Sequence, residues 1–104
     1  MSRAYLIHYP VGKNGRMTVR FEQSQKSSRC PTGVRFAVIG FLTTKDGERE
    51  VIRIDNAPHH GIGTTHIHYL DEKEGKENVI VHHFKSYSQA CDYVERYLRE
   101  RDHD

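Results

Sequence analysis

The apolar residues of this 104-residue chain change their spacing once, near Ser86. Before that point they recur at every second position or in short β-rich runs. After it Tyr87, Ala90, Cys91, Val94, Tyr97 and Leu98 return at three- and four-residue intervals. Side chains alternate across the two faces of a strand but recur every 3.6 residues around a helix. A chain with its two periods segregated this way must build a sheet first and lay one helix on it. The expected fold is therefore α+β: an antiparallel sheet of five to six strands with one C-terminal helix packed on one face.

The individual strands follow from the same rule. Ala4–Tyr9 is rich in β-formers and stops at Pro10; Val11–Arg16 then supplies turn chemistry. In the next segment Met17, Val19 and Phe21 share one face, while Arg16, Thr18, Arg20 and Glu22 share the other. A polar, basic loop follows, running through Lys26, Arg29 and Cys30 to Gly33. Residues 35–44 and 49–55 flank Asp46–Gly47, a strong hairpin signal. Ile52 and Ile54 point to one side of the second arm and Val51, Arg53 and Asp55 to the other. Residues 65–70 and 77–84 complete the strands. Ser86 with Gln89 fits a capping box, and the helix is expected to end near Arg101. The chain reads as a single domain, 1–104, with no internal repeat.

Composition narrows the function classes. No apolar run approaches the roughly 18 residues a membrane-crossing helix needs, and the N-terminus does not resemble a signal peptide. Two cysteines, Cys30 and Cys91, make no disulfide framework, which points to a reducing cytoplasmic setting. The net charge of +2 conceals an asymmetry. Residues 1–44 hold seven basic side chains against the single acid Glu22, whereas residues 45–104 are net acidic. A basic half suits a polyanion, and Arg16, Arg20, Lys26, Arg29 and Arg35 are the candidate contacts to an RNA backbone.

Chemistry concentrates in IDNAPHHGIGTTHIHY, residues 54–69. His66 and His68 are two apart, so on a strand their rings share a face roughly 7 Å apart. His59 and His60 follow Pro58, just beyond Asp55. Pairing of the two flanking strands would bring all four imidazoles toward one end of the sheet. One use of such a cluster is acid–base catalysis on RNA: one histidine accepts the 2′-hydroxyl proton and another protonates the leaving 5′-oxygen. Arg53 would stabilise the phosphate charge and Asp55 would orient an imidazole. That chemistry needs no cofactor. A second use is ligation of a divalent metal such as zinc by His59, His66 and His68. The third possibility is a plain interaction module in which the histidines are exposed surface residues. Asp55 and Asn56 also belong to good turn chemistry. The glycines in this stretch do not follow the spacing of a phosphate-binding loop.

Arg53, Asp55, Asn56, Ala57, Pro58, His59 and His60 together resemble the R-x-D-N-A-P-H-H segment of the TumE family, toxin-like proteins of prokaryotic toxin–antitoxin pairs. Thr65, His66 and His68 match the family's second cluster more loosely, with Ile67 and Tyr69 standing where it usually carries proline, histidine and lysine. The resemblance covers roughly residues 49–100. It implies a compact α+β protein that targets RNA and is neutralised by a cognate helix-turn-helix antitoxin; a homodimer is a separate expectation for the chain.

Overall fold

The computed structural model describes residues 3–23, 25–28, 30–57, 65–71, 76–82, 84 and 86–102. Six strands form one antiparallel sheet: β1 (Arg3–Val11), β2 (Gly15–Gln23), β3 (Val34–Thr44), β4 (Gly47–Asp55), β5 (His66–Asp71) and β6 (Lys76–Val81). Their order across the sheet is their order along the chain. One helix, α1 (Tyr87–Arg101), closes the fold. The α+β architecture expected from the change of period is the one observed.

Register decides which residues meet the helix. Val19, Val38, Ile54 and Ile67 stand opposite one another on β2 to β5, and all four are buried. Ala90, Val94 and Leu98, spaced four apart, form the buried stripe of α1. The two apolar surfaces need each other, since each buried aliphatic side chain contributes about 1.5–3 kcal/mol relative to exposure. Gly40 of β3 sets their separation. A Cβ built there would lie 2.7 Å from Ile52 Cγ2, 3.0 Å from Val94 Cγ1 and 3.1 Å from Leu98 Cδ2. The helix therefore rests almost on the backbone of β3. A register shift falls between Gly40 and Phe41, a β-bulge that alternation alone does not reveal.

The hairpin of β3 and β4 closes through Lys45 and Asp46, with Gly47 at a φ of 112° that L side chains rarely adopt. At the start of α1, Ser86 Oγ accepts a hydrogen bond from the Gln89 backbone N–H at 3.4 Å, one arm of the expected capping box. At its end Asp102 turns back onto the β1–β2 connection. Its carboxylate accepts from the Lys13 N–H at 2.6 Å, the Asn14 N–H at 3.2 Å and the Asn14 side-chain amide at 2.8 Å. These bonds hold its carboxyl below the usual carboxylate range, the Asn14 side chain being the largest cause.

Cys30 and Cys91 are free thiols. Burial pushes the Cys91 thiol up to about 11, which disfavours its thiolate at neutral pH. Among the described residues no helix is long and apolar enough to cross a membrane.

Candidate functional site

The site grows from the register of the sheet face away from α1. Arg20, Ala37, Asp55 and His66 stand in one row across β2 to β5. The neighbouring row carries Thr18, Ile39, Arg53 and His68. Antiparallel pairing points directly opposed residues to one face. Because Ile52 and Ile54 face the helix, Arg53 and Asp55 must face this side. The expected pairing of the two strands around residues 56–65 is present, and it brings Asp55, His66 and His68 together.

Their geometry is centred on the carboxylate. His68 Nε2 lies 3.3 Å from Asp55 Oδ2, and His66 Nδ1 lies 3.6 Å from Oδ1. The two rings are 6.5 Å apart, close to the spacing that i, i+2 predicts. Arg53 Nε reaches Asp55 Oδ2 at 3.3 Å, and Arg53 Nη1 reaches Glu50 Oε1 at 3.6 Å. Asp55 Oδ1 also accepts from the Ala57 N–H at 3.2 Å. Asp55 is thus a turn organiser and the hub of the cluster at once. All three side chains are buried: Asp55 is 7%, His66 0% and His68 1% exposed. Sequence spacing specifies their common face but not their depth. In this position the two rings address Asp55 and not bulk solvent, which suits them to fixing the carboxylate more than to meeting a substrate.

Beside this cluster lies a cavity of about 570 Å³, lined by Arg20, Arg35 and Arg53, by the acids Glu22 and Asp55, and by Phe36, Ile39, Asn56 and Ala57. Arg20 and Arg35 are exposed and make no ion pair with any described residue, so two positive charges face the opening, with the exposed carboxylate of Glu22, opposite Arg35 in the sheet, beside them. Arg16 stands on the same face but is already engaged. It grips Glu48 through Nε at 3.0 Å and Nη2 at 2.6 Å, and it lies over the Phe41 ring at 4.3 Å. Its hydrogen bonds hold Glu48 below the usual carboxylate range. Lys26 is exposed on the loop between β2 and β3. His59, His60 and Arg29 lie outside the described residues.

Two contributors escaped the sequence. Asn56 looked like local turn chemistry, yet its amide bridges to β3, accepting from Phe36 N–H at 3.0 Å and donating to Val34 O at 2.7 Å. Thr65 ties the start of β5 to the end of β6: its hydroxyl donates to His82 O and accepts from Phe84 N–H at 3.1 Å. Neither cross-strand role has a sequence signal, because each depends on which strands become neighbours.

Among the described residues no group of three or more His, Cys, Asp or Glu side chains is disposed to hold a metal ion. The alternative set of His59, His66 and His68 has one member outside the described residues. Compared with known proteins, the chain matches no family model, no curated protein and no solved structure.

Proposed function

We propose that the open face of the sheet binds RNA and that the segment from Asp55 to His68 cuts it without a metal. The observation that carries this reading is the 570 Å³ groove in which Arg20, Arg35 and Arg53 outnumber the exposed acid Glu22, with Asp55, the neighbour of His66 and His68, in its wall. Guanidinium groups match phosphate geometry with two parallel donors. Arg53, steadied by Asp55 and Glu50, takes the scissile phosphate. The buried imidazoles His66 and His68 are positioning residues: they fix Asp55, and Asp55 fixes Arg53.

His59 and His60 remain as the acid–base pair. One takes the proton of the 2′-hydroxyl as that oxygen attacks the adjacent phosphorus. The P–O5′ bond then breaks, and the other histidine gives its proton to the leaving oxygen. The products are a 2′,3′-cyclic phosphate and a 5′-hydroxyl. The likeness of residues 53–60 to the TumE segment supports a cytoplasmic toxin held in check by a helix-turn-helix antitoxin.

The test is cleavage of labelled RNA in excess EDTA, with the new ends identified chemically. Cyclic phosphate ends are expected, with a loss of about 100-fold or more in rate in His59→Ala and in His60→Ala. Undiminished cleavage by both variants would refute the assignment. RNA bound but left intact by the wild type would leave a binding module using the same groove.

A further inference from the structure

We propose that β1 is a self-pairing edge: two copies of the chain join antiparallel through it, about a two-fold axis at Leu6, into one continuous sheet. The inference concerns the edge of the sheet farthest from β6 and does not rest on the RNA reading.

Proteins guard a free sheet edge with lysines, bulges or a covering segment, because its unpaired N–H and C=O groups invite another strand. Among the described residues β1 pairs only with β2, in unbroken register from Arg3 to Val11. From Ala4 to Val11 it carries no Lys, Arg, Asp or Glu, and every residue from Ala4 to Pro10 is exposed. Four of these are large and apolar: Tyr5 at 50%, Leu6 at 61%, Ile7 at 44% and Tyr9 at 42%. Two such edges meet without charge repulsion. The other edge, β6, opens with Lys76 and Glu77 and is only 6 residues long.

Pro10 determines how the edge is used. It stands opposite Arg16 and has no N–H, so this pair belongs to those that exchange no hydrogen bonds with β2. Bonded and unbonded pairs alternate along an antiparallel ladder. Ala4, Leu6 and His8 therefore turn their N–H and C=O groups outward. A two-fold axis normal to the sheet sets this row against its own copy. With Leu6 facing Leu6, Ala4 faces His8 on both sides, every outward N–H meets a carbonyl, and Pro10 stays outside the pairing. Moving the axis to Ile7 would set Pro10 against Ala4 and forfeit a bond on each side.

In the same register Tyr5 of each copy faces Ile7 of the other, in the closely spaced unbonded pairs with Cα atoms roughly 4.5 Å apart. Ile7 stands opposite the buried Val19, which puts this contact on the helix side. Tyr5 is already placed there by the Phe21 ring, 6.1 Å away. The axis keeps both helices on one side and both arginine-lined grooves on the other. Five strand spacings, or roughly 24 Å, separate β3 from its copy.

The experiment is sedimentation velocity of the full chain from about 1 to 300 µM, with hydrogen exchange at both ends of the range. A contact this small, below about 1,200 Å² in all, gives a reversible dimer, half-formed at about 10–100 µM. Leu6→Lys sets two ammonium groups face to face at the axis and is expected to stay monomeric, as is Leu6→Glu. An equimolar mixture of the two restores the dimer, and Val81→Lys on β6 leaves it unchanged. Both positions are exposed, so far-UV circular dichroism remains that of the wild type. Amides of Ala4, Leu6 and His8, fast in the dilute monomer, gain protection as the dimer forms. A wild type monomeric throughout, a dimer that survives Leu6→Lys, a mixture that stays monomeric, or loss of association in Val81→Lys each overturns the inference.

Discussion

Asp55 is the residue on which the site turns, and its surroundings make a definite demand. Three nitrogens, of His68, Arg53 and Ala57, lie within 3.3 Å of its two oxygens, and His66 Nδ1 lies only slightly farther. An amide in its place would turn a donor toward one of them. Asp55→Asn is therefore expected to destabilise the fold by about 2–3 kcal/mol, the cost of leaving a buried polar group opposed. For a domain of this size that lowers Tm by roughly 10–20 °C, readable by thermal melting. The pair His66 and His68 was legible as a same-face ridge, because a strand has a period of two. Their complete burial was not, since alternation names a face without saying what lies over it. The basic side chains divided similarly. Arg20 and Arg35 reach the groove, while Arg16 is committed to Glu48 by a contact between β2 and β4 that no local pattern announces.

Among the elements, α1 is held by a stripe on one side and by a carboxylate at its end. The stripe was readable from its spacing; the closeness of its approach was not. Gly40→Ala tests that closeness. A methyl at 2.7 Å from Ile52 Cγ2 forces the helix or the strand to move. A loss of about 1–3 kcal/mol is expected in urea unfolding, outweighing the entropy gained on replacing glycine. Asp102 provides the second test. Its pKa is lowered in the folded protein, so its contribution is full above the unfolded carboxylate value near 4. It fades as pH falls through the lower folded value. Asp102→Ala should therefore lower Tm at pH 7 and converge with the wild type as pH drops below about 4. A gap that stays constant down to pH 2 would assign the effect to something other than the carboxylate. The strands themselves were visible in the alternation of residues 16–22 and in the Asp46–Gly47 turn. The bulge at Gly40 and Phe41 was hidden, because an extra residue in one strand leaves no mark until its partner is known.

At the scale of the molecule the sheet is well covered at its centre and bare at both edges. Val38, Ile52 and Ile54 are wholly buried, whereas Leu6 on β1 and Val81 on β6 are 61% and 62% exposed. Hydrogen exchange should rank accordingly: slowest for amides of β3 and β4, faster by orders of magnitude for β1 and β6. Equal protection across the six strands would contradict this gradient. Since the strands lie side by side in the order they are synthesised, each can join the growing sheet by closing only a short loop. The helix alone departs from this pattern, for its final contact joins Asp102 to Asn14 across nearly the whole chain. A chain whose helix has not yet docked would thus present a sheet with an unsealed apolar back. Docking of α1, by sealing that back, is the step that turns a provisional sheet into a lasting one.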